Sequence, residues 1–386
     1  MGERAVEEQA TPEERKQMAD VVGHSMDRGA VGFSTNRFEP HVLPDGRSVP
    51  GTFADPQELV QIAGEVGPRN GLLQAVGANF HVLKTLAQTP GGRLLYSSAA
   101  EARAGSGKAR ADTVAALCEF GDVTAIAHVR GSGVLLGLQS VLPVQDGAWE
   151  ALRRQDFAGR LASIRDAATR ATLIEEARNA NLRFSMANAF YLGHGETPDY
   201  TAPAEDNLEA QAAAAGEHWA ETFLRLSLET DGRALFNLRV FSSDHKELGD
   251  LIQSPHVFPS LGDAGAHVSQ IMDAGWSTFI LSYWVREAGL YSLGEGIRRL
   301  TSGPARVIGL KDRGTLAPGM RADVNVFDPA GVAERHPVVV HDFPGGAPRF
   351  IQKSTGYKAT IVNGAVTVVD GEHTGTRAGQ VLRHAG

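Results

Sequence analysis

Short apolar runs alternate with longer amphipathic stretches along most of the chain. Ala30-Val31-Gly32-Phe33-Ser34-Thr35 is a compact run that ends in polar residues. Gly71-Leu72-Leu73-Gln74-Ala75-Val76, Arg93-Leu94-Leu95-Tyr96-Ser97, Val123-Thr124-Ala125-Ile126-Ala127-His128, Ala234-Leu235-Phe236-Asn237-Leu238 and Val257-Phe258-Pro259-Ser260-Leu261 share its character. Helical stretches lie between them. Thr11-Pro12-Glu13-Glu14 reads as an N-cap, a proline at the first helical position and acids in the first turn. The helix it opens runs to Asp27 and stops at Arg28-Gly29. Asp55-Pro56 restarts a helix in the same way, and residues 111–119 and 208–229 are further helical stretches. This alternation predicts an α/β fold in which helices cover a parallel sheet. About six such strands precede residue 265, and a closed eight-stranded barrel needs two more.

After Arg313 the pattern changes. Ala322-Asp323-Val324-Asn325-Val326-Phe327-Asp328 alternates with period two, and Thr360-Ile361-Val362-Asn363-Gly364-Ala365-Val366-Thr367-Val368 is a pair of β runs around Asn-Gly, the strongest short hairpin signal. The expected division is a barrel over residues 1–312 and a small β-sandwich portion over 313–386. Residues 329–356, rich in Pro, Gly and His, read as a surface loop.

Composition narrows the function classes. The 386 residues are 42% apolar and 21% charged, as in ordinary globular proteins. A formal net charge of −8 argues against a nucleic-acid or anionic-membrane binder, whose footprint is basic. No apolar run approaches the roughly 20 residues that span a bilayer. The charged first segment has no apolar core, so it does not read as a signal peptide. Cys118 alone cannot form an intrachain disulfide or a cysteine-built zinc site. These features point to a reducing, cytoplasmic setting.

The most informative candidate site is Ser260-Leu261-Gly262-Asp263-Ala264-Gly265-Ala266-His267, where a strand runs into a carboxylate, small residues and a histidine. In a parallel barrel, function collects at the carboxyl ends of strands. Asp263 there is a candidate metal ligand and general base toward a bound water; the bland alternative is a helix cap with His267 packed behind it. His128 ends another strand, a candidate metal ligand or a structural histidine. Arg130 follows it among glycines and is a candidate carboxylate clamp. Arg37, after Ser34-Thr35-Asn36, is a second candidate clamp at a strand end. Gln74 and Asn79 are weaker candidates, and His24 and His41 read as structural. The chain has no His-x-His, no His-Glu-x-x-His, no Walker-type lysine loop and no Gly-x-Ser-x-Gly elbow. Its thirteen histidines are scattered, so no complete metal site assembles from the sequence.

Several segments, in order, resemble N-acyl-D-amino-acid deacylases (D-aminoacylases) of the amidohydrolase superfamily. They are residues 29–35, Pro44-Asp45-Gly46-Arg47-Ser48-Val49-Pro50-Gly51-Thr52-Phe53-Ala54, Val134-Leu135-Leu136-Gly137-Leu138-Gln139-Ser140, the Asp263 turn, and Leu300-Thr301-Ser302-Gly303-Pro304-Ala305-Arg306 with residues 312–323 after it. The resemblance implies a TIM-like (β/α)8 barrel with a β-sandwich built from both termini, and zinc-dependent hydrolysis of an amide by metal-bound water. It implies that Asp263 is the carboxylate that activates the water, with His267 beside substrate or metal. It also implies a His-x-His pair on the first strand and a bridging ligand nearby, both upstream of Met1. Gln74 and Tyr96 stand near the places of two further histidines, and His128 falls where the resemblance supplies no standard ligand. Met1-Gly2-Glu3-Arg4-Ala5 is similar to an internal segment of longer relatives, which implies an internal start or a gene fragment, hence an incomplete barrel. Exposed strand edges would then favour pairing with another chain, such as in a homo-oligomer, or poor solubility. Two readings result: a hydrolase of N-acyl amino acids or similar small amides that binds neither nucleic acid nor membrane, and an inactive remnant that serves as a binding or assembly module.

Overall fold

The computed structural model describes residues 1–262 and 264–384. Helix α1 (Pro12–Asp27) begins at a reciprocal cap: the Thr11 side chain accepts from the Glu14 amide, and the Glu14 carboxylate accepts from the Thr11 amide. Strand β1 (Gly32–Asn36), helix α2 (Pro56–Val66), strand β2 (Leu72–Val76), helix α3 (Phe80–Ala87), strand β3 (Arg93–Ser97), helix α4 (Ser106–Cys118) and strand β4 (Asp122–Ala127) then follow in strict alternation. Each helix turns a stripe toward the sheet; Val66, Val114 and Leu117 are fully buried. Fully burying each such side chain contributes about 1.5–3 kcal/mol. Gly32 is required for the closeness of β1 and β2, because a Cβ there would lie 1.8 Å from the Leu72 carbonyl oxygen.

The chain next builds an antiparallel sheet from β5 (Ser132–Leu136), β6 (Ala189–Tyr191) and β7 (Phe236–Phe241), in the order β5-β7-β6. It returns to the parallel sheet as β8 (Val257–Pro259), beside β4. The parallel order is β1-β2-β3-β4-β8. Five strands therefore form this sheet among the described residues, and the run around Phe236 belongs elsewhere. Its sequence misleads because β7 is buried on both faces over its first four residues, as a central parallel strand would be. The inserted module has its own apolar cluster around Trp149, Phe223 and Phe236, apart from the main one around Val114, Leu117 and Ala125. The stretch 208–229 is two helices, Leu208–Ala215 and Trp219–Glu229, not one. Gly216 adopts φ 70° and ends the first, and His218 caps the second.

The carboxyl-terminal part is β-rich. Strand β9 (Val324–Phe327) precedes β10 (Ala333–Glu334), β11 (Val338–Val340), β12 (Arg349–Ile351), β13 (Ser354–Thr355), β14 (Tyr357–Val362), β15 (Ala365–Val369) and β16 (Glu372–His373). The antiparallel sheet runs β16-β15-β14-β9, with two small pairs, β10-β13 and β11-β12, beside it. Asn363 and Gly364 both have positive φ, 51° and 79°, as a two-residue hairpin turn demands. Residues 329–356, expected as a surface loop, hold four short strands, and Glu334 and Phe350 are buried within them. No helix among the described residues is long and apolar enough to cross a membrane.

Candidate functional site

The sheet order decides which strand-end residues meet. Arg37 follows β1, His128 follows β4, and residues 260–262 follow β8, all at the carboxyl ends of parallel strands. Strands β4 and β8 are neighbours, and Ser260 donates its amide and its hydroxyl to the Ala127 carbonyl. This brings His128 against the turn after β8: a Cβ on Gly262 would lie 2.7 Å from His128 Cδ2 and 2.5 Å from Asp273 Oδ2. Arg37 sits three strands away, about 14 Å across the rim at ordinary strand spacing. It donates to the Ala54 carbonyl at 2.5 Å, and its Nη1 is buried without a partner among the described residues. Asp263 lies outside the described residues. His267 is exposed, and its carbonyl accepts from the Gln270 and Ile271 amides. Gln74 bonds Ser34 across β1 and β2, and Asn79 caps α3.

His128 stacks on Phe241 with ring centroids 5.6 Å apart and planes 12° from parallel. Its Nδ1 is buried and has no hydrogen-bond partner among the described residues. Beside it, Ser132 Oγ donates to Asp273 at 2.5 Å. Arg130, expected to clamp a substrate carboxylate, is instead turned inward. Its Nη1 donates to both Glu334 oxygens at 2.6 Å, its Nη2 donates to the Met272 carbonyl at 2.8 Å, and its guanidinium lies 3.5 Å over the Tyr200 ring. The side chains of Arg130 and Glu334 are only 2% and 4% exposed. Burial opposes the Arg130 charge, yet Glu334, Tyr200 and Asp273 outweigh it and raise the guanidinium above its ordinary range. A substrate carboxylate would have to displace Glu334 to reach it.

A second buried arginine stands nearby. Arg239 on β7 donates to the Ala202 and Tyr200 carbonyls at 2.8 and 3.0 Å and stacks 3.6 Å over Phe190. Burial pulls its guanidinium down to about 10, with Asp199 and Tyr283 opposing. Sequence reasoning singled out none of Ser132, Glu334, Asp273 and Arg239. A carboxylate among apolar neighbours, as in Ile271-Met272-Asp273, was the available signal. A cleft of about 1300 Å³ lies between residues 274–302 and strands β9, β14 and β15. Its lining includes Glu334 and Gln352 but neither His128 nor His267, so it is separate from the strand-end rim.

His245 makes a testable contribution to stability. It packs among Phe279, Tyr283 and Trp284, and its Nε2 has no partner among the described residues. Burial, then Arg239, pushes it down to about 4, with Asp244 opposing. The unfolded chain therefore takes up this proton near pH 6.5, whereas the folded chain resists it until about 4. The sign follows: between those values the unfolded state binds more protons, so stability falls as pH falls, by up to roughly 3 kcal/mol. Urea midpoints measured from pH 7 to 4.5 should drop less steeply in His245→Gln than in the unaltered chain. Equal slopes would assign the loss to other groups.

A family model described as "Amidohydrolase family" matches residues 1–368. An N-acyl-D-aspartate deacylase of Alcaligenes xylosoxydans xylosoxydans is 43% identical over 110 residues, 28% of this chain and 20% of that protein. A D-aminoacylase of the same organism is 34% identical over 113 residues, 28% of this chain and 21% of its own length. The matched segment thus spans about a fifth of these curated relatives. A crystal structure of D-aminoacylase superposes with TM-score 0.60 at 19% identity, covering 98% of this chain and 68% of that one. A structure of N-acyl-D-glutamate deacylase from Bordetella bronchiseptica, complexed with zinc and a phosphonate inhibitor, gives TM-score 0.56 at 22% identity, with the same coverage. At such identity the structural likeness establishes the fold: α/β, a TIM-like barrel represented here by five parallel strands, with a β-rich carboxyl-terminal portion.

Proposed function

The chain belongs to the amidohydrolase family, and on that premise we propose that it hydrolyses the C–N bond of a linear amide, with N-acyl-D-amino acids as the substrate class. The observation that carries the reading is the family match over residues 1–368, which takes in the parallel sheet and most of the β-rich part together. The three deacylases that share 34–43% identity over about 110 residues supply the substrate class. In this reading Asp263 takes a proton from the attacking water and returns it to the departing amine, so that the amine leaves neutral. Arg37 and His267 are the side chains proposed to meet substrate, Arg37 at the β1 end of the rim and His267 on the turn after β8.

The described residues do not assemble a zinc site. No group of three His, Cys, Asp or Glu among them is placed to hold a metal ion, whereas zinc takes three or four such ligands. His128, whose Nδ1 has no partner among the described residues, offers one donor. No step is therefore routed through a metal. The same observation favours a second reading, a binding or assembly module that keeps the fold without the chemistry.

One experiment separates the two. The purified chain, with and without added Zn²⁺, is incubated with N-acetyl-D-amino acids while released amine and bound metal are measured. Amine release above the uncatalysed rate supports the hydrolase. No release and no stoichiometric metal under either condition would leave only the binding module.

A further inference from the structure

Arg130 joins four separate stretches of the chain at one buried point. It lies in the turn between β4 and β5; Glu334 comes from β10, Met272 from the loop after β8, and Tyr200 from the inserted module. Next to it, Ser132 binds Asp273. Two consecutive residues of the loop after β8, Met272 and Asp273, are thus tied to the turn after β4 and to the first residue of β5. The other end of that loop is held by Ser260 on the Ala127 carbonyl. Gly275 continues the same contact surface, since a Cβ there would lie 1.7 Å from Glu334 Oε1.

We infer that Arg130 and Glu334 act as a positioning pair: Glu334, from the β-rich part, orients Arg130, and Arg130 holds the far end of the loop that bears Asp263 and His267. A guanidinium held at two different nitrogens, one by a carboxylate and one by a carbonyl, has its plane fixed by the two contacts together. Both Glu334 oxygens sit on Nη1, which leaves Nη2 aimed at the Met272 carbonyl. Lysine cannot do the same, because its ammonium is a single point of charge and its donors have no fixed plane. Neither side chain is open to substrate, so their effect passes through the loop. What the loop does rests on the proposed hydrolase; how it is held does not.

The test uses the full chain with Glu334→Gln, Arg130→Lys and the double variant Arg130→Met/Glu334→Leu. Hydrogen exchange of the 264–275 amides is expected to accelerate about tenfold in each, while β1 to β3 stay protected. Replacing a buried ion pair by apolar groups is often neutral for stability. The double variant should therefore recover the denaturation midpoint lost in the single variants, yet leave the loop unprotected, because the donor to Met272 is gone. Recovery of both would mean a merely structural pair and overturn the inference, as would unchanged loop exchange in the single variants. In turnover of an N-acetyl-D-amino acid, kcat should fall with KM within about twofold. A raised KM at unchanged kcat would make Arg130 a substrate ligand and overturn it as well. If the unaltered chain releases no amine, the hydrolase reading fails while the exchange measurement still decides the positioning role.

Discussion

Exchanging Asp263 for asparagine is expected to lower kcat on an N-acyl-D-amino acid by about 10²–10⁴-fold, with KM changed less than about threefold. Asparagine keeps the size of the side chain and its ability to accept a hydrogen bond. It cannot take a proton from water, so the loss appears in the step that needs a base and leaves ground-state binding intact. The Ser260–His267 segment is where the sequence places a carboxylate directly after a strand, and β8 brings that strand end beside β4 and His128. Steady-state kinetics of the two proteins, each checked for the same denaturation midpoint, provide the measurement. Full activity in Asp263→Asn would remove the general base from the proposal and require another proton acceptor at the rim.

The second large effect is on stability. Trp149→Ala should lower the unfolding free energy by about 3–5 kcal/mol. Trp149 is fully buried in the inserted module and packs 6.0 Å from Phe223 and 6.5 Å from Trp219 between ring centroids. Its Nε1 donates to the Leu173 carbonyl at 2.9 Å, so alanine leaves both a cavity and a buried carbonyl without its donor. Because the module has an apolar cluster separate from the main one, the loss should be local. Hydrogen exchange is expected to speed up around Leu173, Phe223 and Phe236, while Val114 and Leu117 keep their protection. Uniform acceleration across both clusters would show that the two parts unfold as one unit.

What was legible in the sequence was local. Arg93–Ser97 is a strand with the bounds its apolar run suggested, Thr11 is the cap that its neighbours announced, and Asn363-Gly364 turns the hairpin. Each rests on chemistry confined to a few consecutive residues. The misreadings concern partners far along the chain. Phe236–Phe241 is a strand, but nothing in its composition says that its neighbours are β5 and β6 and not β4. Glu334 looked like a solvated loop residue because its counter-charge, Arg130, lies more than 200 positions away. Arg130 looked like an open clamp for the same reason. The break at Gly216 was missed because helix-forming residues stand on either side of it. At the candidate site, the strand-end placement of Arg37 and His128 was readable, while the tie from Ser132 to Asp273 depends on two loops meeting in space.

The neighbouring positions of β4 and β8 also bear on the order of assembly. Strands β1 to β4 pair with partners a few dozen residues away, through single helical crossovers. The register of β8 against β4 matches Ala125 with Val257, and the whole inserted module lies between them. Closing a loop of about 130 residues carries more entropy loss than any other pairing in that sheet, and long-range contacts of this kind form slowly unless the intervening chain has already condensed. Condensation of the module around its own apolar cluster would shorten the effective gap. The β4–β8 pairing is the longest-range contact in that sheet, and Asp263 and His267 follow β8 in the sequence. The candidate site thus lies at the pairing of this sheet that encloses the greatest length of chain.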